Sequence, residues 1–331
     1  MDAVNPQEPT DRVTPAEEWF SADDGTRLFL RRWIPQTPRP RAALHIVHGM
    51  AEHAGRYDRL AQRLCGEGIE VWAADQRGHG KTADPGVNDP ARGGLLGHCG
   101  DQGGFSRITA DIHGVNARIK AVHPKLPLFL LGHSWGSFIV QDYIEGHPEG
   151  LAGCILSGTR GLMGVKTLLG APFLSCLVFF RGSRARSRLA WAMADGPFNK
   201  PFRPNRTPFD WLSRDEKEVD AYVADPLCGN LCSLGFYRDL TVLFNRIHKP
   251  LRMEGINRDL PIYVFSGSAD PVGDMGNSPT DLVNLYRSMG IKDLEFVLYP
   301  GARHETLNET NREEVTGDLV AWLKKHHSPR G

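Results

Sequence analysis

The chain has 331 residues, and its 39 Lys and Arg side chains balance 39 Asp and Glu side chains, so its formal net charge is zero. A protein without a net positive field gains little from counterion release, which argues against nucleic acid as a partner. Hydrophobic residues make up 40% of the chain and charged residues 24%, which is typical of a globular protein and argues against a disordered or membrane-embedded one.

The N-terminal segment, residues 1–19, is rich in Pro, Asp and Glu, and we expect a flexible tail there. It lacks a basic start followed by an apolar stretch, so the sequence predicts no secretory signal and a cytoplasmic location. The six cysteines are scattered, as expected of free thiols in a reducing compartment. Only Cys228 and Cys232 lie close in sequence, and without matching Cys or His pairs we predict no metal site.

After the tail, short apolar runs alternate with amphipathic stretches, a pattern typical of an α/β protein whose mostly parallel sheet has helices on both faces. One alternating run, Leu28–Ile34, predicts an early antiparallel strand. Continuous apolar runs predict buried strands at Ala42–Val47, Val71–Ala74, Leu128–Leu131, Gly153–Leu156, Ile262–Phe265 and Leu294–Leu298. Apolar residues at three- and four-residue spacing predict helices at Tyr57–Glu67, Phe105–Val122, Ser137–Glu145, Thr280–Met289 and Asn308–Lys325.

The alternation stops between residues 158 and 250, where helices, prolines and basic clusters occur without a convincing strand. It resumes at Pro261, so this segment interrupts a domain and does not follow one. We therefore predict a core formed by residues 20–157 and 251–325, with an inserted helical cap of residues 158–250.

The strongest local signal is the sequence Gly132-His133-Ser134-Trp135-Gly136, directly after a predicted buried strand and directly before a predicted helix. In such a G-x-S-x-G turn the serine hydroxyl is lifted above the sheet, and the glycines remove side chains that would clash. The pattern predicts Ser134 as a nucleophile, with the amide of Trp135 positioned to bind a developing oxyanion.

A serine nucleophile requires a histidine base and a carboxylate that orients it, both at the carboxyl ends of later strands. Asp270 follows the penultimate strand and His304 follows the last one, in the chain order expected of an α/β-hydrolase. Of the 13 histidines, only His304 has the required position. Asp274 and Asp75 are rival carboxylates, and we favour Asp270 because it comes first after its strand and precedes the rigid Pro271.

The loop His48–Tyr57, after the first buried strand, is expected to supply the second oxyanion donor. Gly49 permits a turn there, and the amide of Met50 is the candidate donor. For His48 we expect a structural hydrogen bond and no chemical role. A later loop, Asp75–Thr82, lacks the spacing of nucleotide-binding glycine motifs, so a nucleotide role has little support.

Five motifs occur along the chain: H-G-M-A-E-H-A-G-R-Y at His48–Tyr57, D-Q-R-G-H-G at Asp75–Gly80, G-H-S-W-G at Gly132–Gly136, S-A-D-P-V at Ser268–Val272 and A-R-H-E at Ala302–Glu305. With them the chain resembles, over most of its length, the α/β-hydrolases of the monoacylglycerol lipase and lysophospholipase type. The resemblance implies the α/β-hydrolase fold, an eight-stranded, mostly parallel sheet with an inserted helical cap over an acyl-chain tunnel. It also implies a serine hydrolase of lipid esters that uses no cofactor, with Met50 and Trp135 as oxyanion donors.

The resemblance further suggests that Glu52 and Arg56 line the pocket for the alcohol part of the ester. A structural ion pair between the two residues is an equal alternative. Two departures from the family pattern are Thr82, which replaces a common serine, and Met50, which is bulkier than the usual small residue. Because Met50 would act through its backbone, its size puts only the shape of the pocket in doubt.

Within the cap, an uncharged run from Thr167 to Phe180 is followed by Arg181, Arg184, Arg186 and Arg188. The run is shorter than the roughly 20 residues that span a bilayer. Two alternatives stay open: a helix that dips into a lipid interface and gives peripheral membrane contact, and a helix packed on the core beside solvated arginines. The arginines are also candidates to contact a lysophospholipid phosphate.

The sequence thus predicts a serine carboxylic-ester hydrolase that acts on monoacylglycerol or lysophospholipid through an acyl-enzyme on Ser134. A short-chain esterase or an aminopeptidase of the same fold is the alternative. The peptidase would need a cap carboxylate for the substrate amine, with Asp215, Glu216, Glu218 and Asp220 as candidates. The set of Ser134, Asp270 and His304 argues against a lipid-binding scaffold without catalysis. Acyl-chain length, head group and oligomeric state stay open.

Overall fold

The computed structural model describes residues 12–147, 149–162, 166–194 and 196–327, with only the backbone of residues 166–169. One sheet contains β1 (Ala16–Ser21), β2 (Arg27–Trp33), β3 (Ala42–Val47), β4 (Ile69–Ala74), β5 (Leu128–His133), β6 (Gly153–Ser157), β7 (Ile262–Gly267) and β8 (Leu294–Tyr299). The strand order is β1-β2-β4-β3-β5-β6-β7-β8. β2 pairs antiparallel with both β1 and β4, and the other neighbours are parallel. This topology confirms the predicted fold class.

The first strand lies where the sequence predicted a flexible tail. Residues 1–11 of that tail lie outside the described residues, but Ala16–Ser21 pairs with β2 over its whole length. The prediction of a tail over residues 1–19 is therefore wrong from Ala16 onward. β1 is an edge strand whose side chains are mostly exposed, although the ring of Trp19 packs 5.2 Å from that of Phe29. A strand with so little buried surface has no alternating pattern by which to recognise it.

Ten α-helices lie within the described residues: α1 (Asp58–Gly66), α2 (Gly104–Val122), α3 (Trp135–Gly146), α4 (Lys166–Arg181), α5 (Arg188–Ala194), α6 (Glu216–Ala224), α7 (Leu234–Arg246), α8 (Pro250–Met253), α9 (Asn277–Ser288) and α10 (Arg312–His327). The five helices predicted from periodicity correspond to α1, α2, α3, α9 and α10, with ends that differ by a few residues.

Side chains of the central strands alternate between two apolar cores, one on each face of the sheet. Leu130 belongs to the core that includes α2, α3 and α9, whereas its neighbours Phe129 and Leu131 belong to the core that includes α1 and α10. Because both faces are covered, β3 to β7 are buried along their whole length. This double burial explains the continuous apolar runs in the sequence.

The segment between β6 and β7 contributes α4 to α8, and it lies where the sequence predicts the cap. α4 packs against α7, and α7 in turn contacts α2 and α3 of the core. An isolated bridge between Arg186 and Ser233 links the start of α5 to the start of α7. Within the described residues, no helix combines the length and the apolar character needed to cross a membrane.

A buried arginine holds the loop after β4. Arg77 is 1% exposed, and its guanidinium donates to both carboxylate oxygens of Asp111 on α2, at 2.6 and 2.8 Å. It also donates to both carboxylate oxygens of Asp24, which precedes β2, at 2.7 and 2.9 Å. The D-Q-R-G-H-G motif therefore has a structural function: it ties this loop to α2 and to the β1–β2 turn.

Replacing Arg77 by Met should lower the free energy of unfolding by about 3–5 kcal/mol, because the substitution leaves the buried carboxylate of Asp111 without its partner. Arg107→Met is the matched control, since Arg107 forms an exposed pair with Asp23 at 3.5 Å and its removal should change stability little. Urea unfolding followed by circular dichroism measures both variants. Equal effects would contradict the structural role of Arg77.

Candidate active site

Ser134 occupies the turn between β5 and α3 in a backbone conformation that side chains rarely adopt, with φ 52° and ψ −125°. A Cβ atom on Gly132 would lie 2.6 Å from the carbonyl oxygen of Gly136, and one on Gly136 would lie 2.3 Å from that of Val47. Glycine is therefore required on both sides of the serine. The tight turn holds the Ser134 hydroxyl at the carboxyl ends of the strands.

The structure brings the three predicted side chains together. His304 Nε2 lies 2.7 Å from Ser134 Oγ, and His304 Nδ1 lies 2.9 Å from Asp270 Oδ2. The Val272 amide donates to the other carboxylate oxygen of Asp270 at 2.8 Å, and the Ser266 hydroxyl donates to Oδ2 at 3.2 Å. In this arrangement the carboxylate keeps the histidine proton on Nδ1, which leaves Nε2 free to accept the serine proton.

His304 and Asp270 are both buried, and burial disfavours the charged form of each group. Their mutual attraction and hydrogen bond outweigh this effect, so that the pKa of Asp270 lies below its usual value and the pKa of His304 lies above its usual value. An ionised Asp270 in this position can stabilise a positive charge on the His304 ring.

Three other buried histidines lie beside Ser134 or its neighbour Trp135: His133 directly precedes Ser134, and the rings of His48 and His79 lie 6.5 and 5.0 Å from that of Trp135. Burial lowers the pKa of His48 and of His133 to about 4 and that of His79 to about 3. His48 accepts a hydrogen bond from the amide of Gln76 at 2.9 Å, which agrees with the structural role expected for it. Because these rings stay neutral near pH 7, they add no positive charge that would oppose protonation of His304.

The rival carboxylates have other surroundings. Asp75 forms an ion pair with Arg31 at 3.1 Å and accepts a hydrogen bond from the amide of Ala54 at 2.9 Å. Asp274 is exposed on the turn before α9. Of the three candidates, Asp270 is the one that is hydrogen-bonded to His304.

Met50 and Trp135, the predicted oxyanion donors, line a cavity together with Ser134. Trp135 is the first residue of α3, a position where the backbone amide has no partner within the helix. Met50 lies in the turn after β3, next to Gly49, whose amide donates to the carboxylate of Glu52. Their function as oxyanion donors stays a prediction.

Arg56 joins two carboxylates beside this turn. Its guanidinium donates to Glu52 at 2.7 Å and to both oxygens of Glu305 at 2.7 Å. Burial opposes ionisation of all three groups, but the pairing outweighs it: the pKa of each carboxyl group is lowered and the pKa of Arg56 is raised. Since these bonds occupy the guanidinium, the geometry favours the structural ion pair for Arg56. Glu52 holds the Gly49 amide and also accepts a hydrogen bond from the Tyr57 hydroxyl at 2.8 Å.

Two residues next to His304 had no predicted role. Glu305 accepts two hydrogen bonds from Arg56. The sequence offered a signal for it, because Glu305 is the last residue of the A-R-H-E motif. Trp211 was not visible: its ring lies 5.0 Å from that of His304, and its carbonyl accepts the His304 amide at 3.4 Å. Trp211 belongs to the segment between α5 and α6, so no local pattern connects it with His304.

Ser134 lies where two cavities meet. The small cavity has a volume of about 40 Å³, and the residues that line it include Gly49, Glu52, Asn230, His304 and Glu305. The large cavity has a volume of about 300 Å³ and a mostly apolar lining that includes Phe138, Leu174, Phe198, Leu240 and Phe244. The Ser134 hydroxyl therefore has a narrow polar space on one side and a wider apolar space on the other.

Among the described residues, two groups of side chains carry donor atoms within 4.8 Å of one another, as a metal ion would require: His53, Asp225 and Cys228, and Asp293, Glu295 and His326. Ion pairs already connect members of each group. His53 pairs with Asp225 at 2.8 Å, and His326 pairs with Asp293 at 3.2 Å. Neither group includes Ser134, Asp270 or His304.

Comparisons with known proteins identify the family. The family model described as "Serine aminopeptidase, S33" matches residues 38–311. A monoacylglycerol lipase from Mycolicibacterium smegmatis is 30% identical over 317 residues, which cover 95% of this chain and 98% of the relative. The chain belongs to the α/β-hydrolases of the monoacylglycerol lipase type. The monoglyceride lipase of Homo sapiens is 28% identical and covers 93% of this chain and 90% of its own length.

Solved structures agree with this assignment. A thermostable carboxyl esterase from Bacillus coagulans, determined in complex with glycerol, has a TM-score of 0.86 at 27% identity and covers 95% of this chain and 99% of its own. A soluble variant of the monoglyceride lipase from Saccharomyces cerevisiae shares the fold, with a TM-score of 0.70 at 23% identity over 98% of this chain and 100% of its own. The protein is thus a hydrolase, as predicted.

The hydrolase should lose activity as the pH falls through the pKa of His304, because the protonated ring cannot accept the serine proton. Since that pKa lies above the ordinary value of 6.5, the acidic limb of kcat/KM should also lie above 6.5. Asp270→Asn removes the charge that raises this pKa, so the limb should move to lower pH and kcat should fall about 10⁴-fold as the ring tautomer is lost. The pH profile of ester hydrolysis measures both effects.

Asp274→Asn is the control, since it removes an exposed carboxylate from the same loop. Its acidic limb and its kcat should match those of the unchanged protein. An acidic limb that stays in place in Asp270→Asn, or that moves equally in Asp274→Asn, would show that another group sets the pKa of the base.

Proposed function

We propose that the protein hydrolyses carboxylic esters of lipids, with monoacylglycerol as the preferred substrate, through an acyl-enzyme on Ser134. The observation that carries the proposal is the position of the Ser134 hydroxyl, hydrogen-bonded to His304 at 2.7 Å and located between a small polar and a large apolar cavity. An ester with a compact polar alcohol and a long apolar acyl group fits that division.

The reaction proceeds by acyl transfer in two halves. His304 takes the hydroxyl proton as Ser134 attacks the ester carbonyl, and the amides of Met50 and Trp135 bind the oxyanion. His304 then donates this proton to the alcohol oxygen, the ester C–O bond breaks, and the acyl group stays on Ser134. Water, deprotonated by His304, attacks the acyl-enzyme; the returning proton restores Ser134 and the fatty acid leaves. Asp270 orients the imidazole throughout.

The charges at the small cavity support a glycerol head group over a phosphate. Glu52 and Glu305 both line this cavity, and the pKa of each carboxyl group is lowered, so both are ionised near neutral pH. Two carboxylates share the single guanidinium of Arg56, which leaves negative charge in excess. Glycerol hydroxyls can donate to such oxygens, whereas a lysophospholipid phosphate would be repelled.

We assign the acyl group to the large cavity and propose residues 158–250 as the cap that encloses it. The side chains of Leu174, Met193 and Leu240, from α4, α5 and α7, line this cavity. Of these helices, α7 contacts α2 and α3 of the core, and α4 packs on α7. Acyl-chain preference should therefore depend on the cap.

An aminopeptidase has less support from the cap. It would need a free carboxylate for the substrate amine, but Asp215 pairs with Arg312 at 2.7 Å, and Asp220 pairs with Arg206 at 2.5 Å. Glu218 pairs with Arg59 at 2.5 Å, and Glu216 lies 3.9 Å from Arg206. Turnover of an aminoacyl amide without turnover of an acyl ester would reverse this preference.

Ser134→Ala should reduce fatty-acid release from a long-chain monoacylglycerol by at least about 10⁴-fold, because no other group can carry the acyl intermediate. It should also abolish labelling by a fluorophosphonate. Ser288→Ala, which removes an exposed hydroxyl on α9, is the control and should keep both properties. Near-normal turnover by Ser134→Ala would refute the nucleophile.

The same fatty-acid release assay measures which head group and which acyl-chain length the enzyme prefers. With matched acyl chains, kcat/KM should be higher for the monoacylglycerol than for lysophosphatidylcholine. A preference for the phospholipid would contradict the assignment of the small cavity, and activity confined to short esters would identify a general esterase.

The exposed end of α4 supports peripheral membrane contact through the cap. Phe179 is 83% exposed and Phe180 is 76% exposed, and Arg181 follows them directly with an exposed side chain, whereas Arg184 is paired with Asp101 at 2.7 Å. Aromatic rings beside cations suit an interface with anionic lipids. We propose that this face docks on the membrane that supplies the substrate; the cytoplasmic location stays a prediction of the sequence.

Changing Phe179 and Phe180 together to Ser should weaken binding to vesicles of phosphatidylcholine and phosphatidylglycerol by about tenfold or more, because two large apolar groups no longer enter the lipid. Turnover of a water-soluble ester should not change. Leu251→Ser, on α8, is the control, since Leu251 is 81% exposed outside this face. Vesicle co-sedimentation measures binding, and unchanged sedimentation of the double variant would refute the docking face.

A further inference from the structure

Arg160 is the one charged residue in the mostly apolar lining of the large cavity, among the described residues. The residue follows β6 and lines this cavity together with Ser134 and Val272. Its backbone is held on both sides: the side-chain amide of Gln141 donates to the Arg160 carbonyl at 3.2 Å, and the Gly161 amide donates to Ser278 Oγ at 3.0 Å. A cation is thus built into the wall of the cavity that we assign to the acyl group.

The Arg160 side chain has no acceptor within the described part of the chain. Its Nε atom is buried without a hydrogen-bond partner, and no carboxylate lies within 4.0 Å of the guanidinium there. The charges that act on it are Asp274, which is exposed, and Asp270, whose oxygens are bound by His304, Val272 and Ser266. Burial lowers the pKa of Arg160, but a guanidinium stays charged at any physiological pH.

Arg77, which is buried, and Arg56, which is half-buried like Arg160, show what Arg160 lacks. Arg77 is paired with Asp111 and Asp24, and Arg56 is paired with Glu52 and Glu305. A buried donor without an acceptor is unfavourable, and a neutral alkyl chain next to it would complete its desolvation without supplying one. An anionic oxygen group in the large cavity would instead complete the hydrogen bonds of Arg160.

We propose that Arg160 binds a carboxylate carried by the acyl part of the substrate, so that, among monoacylglycerols and other esters, those whose acyl group is a dicarboxylic acid are preferred. This inference rests on the proposed function, because it takes the large cavity as the acyl site. The opposite placement, with the anion on the alcohol side, is disfavoured because Glu52 and Glu305 line the small cavity. Arg160 is then a specificity-determining residue that contacts the substrate away from the reacting carbonyl.

A purely structural role makes a different prediction. If Arg160 only balanced the charge of Asp270, its removal would alter the pKa of His304 and would affect all esters alike. If Arg160 binds substrate, its removal affects anionic acyl groups selectively, and the pH profile with a neutral ester keeps its acidic limb.

The test compares the mono-p-nitrophenyl ester of suberic acid with two neutral esters of matched length, p-nitrophenyl octanoate and the p-nitrophenyl ester of monomethyl suberate. The ratio of kcat/KM for the anionic ester to that for the neutral esters should fall about 10- to 100-fold in Arg160→Leu. Arg160→Lys should reduce this ratio less, because lysine keeps a positive charge although it lacks the two-pronged hydrogen bonding of arginine. Arg118→Leu removes an exposed charge on α2 and should keep the whole ratio.

Turnover of the neutral esters reports folding and the proposed function separately from this inference. An unchanged ratio in Arg160→Leu, with the neutral esters still hydrolysed, would overturn the role of Arg160 and leave the proposed function intact. If the unchanged protein hydrolysed none of these esters, the proposed function would be refuted instead.

Binding provides a second readout that needs no turnover. In the Ser134→Ala background, calorimetric titration with monomethyl suberate, whose free carboxylate stands for the anionic end, should show affinity that Arg160→Leu reduces about tenfold or more. Dimethyl suberate should bind equally to both variants. Equal affinity of both variants for monomethyl suberate would overturn the proposal.

Discussion

The hydrogen bond between His304 and Asp270 is the interaction on which the rest of the site depends. Burial by itself would make His304 a weaker base, as it does for His48 and His133, whose pKa falls to about 4. The buried carboxylate reverses that effect, because each charged form stabilises the other. The pairing requires the loops after β7 and β8 to meet, and the parallel pairing of these strands brings their carboxyl ends to the same edge of the sheet.

Arginine pairing divides the site into two electrostatic environments. At the small cavity, Arg56 is shared by two carboxylates, which leaves a polar space with excess negative charge and a fixed turn at Gly49. At the large cavity, Arg160 adds a single cation to an apolar wall. Under the proposed function, the two halves of the ester would be distinguished by different physical effects: hydrogen bonding to ionised oxygens on the alcohol side, and burial combined with one positive charge on the acyl side.

The strand predictions were correct where every residue of a strand has the same buried environment. Strands β3 to β7 are covered on both faces, so burial imposed continuous apolar runs that the sequence shows directly. β1 was not predicted, because an exposed edge strand is specified by its pairing with β2 and has no buried face that would give an apolar pattern. The contact between Trp211 and His304 was not predicted for a related reason. Trp211 belongs to a segment whose packing on the core leaves no local pattern in the sequence.

The order of the candidate site residues along the chain could be read from the sequence: a serine on a G-x-S-x-G turn, then Asp270 and His304, each at the end of a later strand. These signals are local, because a tight turn needs glycine and a strand end needs its preceding apolar run. The ion-pair partners of the arginines, in contrast, are visible only in the folded structure. Arg56 pairs with Glu305, which is 249 positions away in the sequence. Arg160, in contrast, has no hydrogen-bond acceptor for its side chain within the described residues. Charge pairing depends on which surfaces meet in space, and no periodicity along the chain records that.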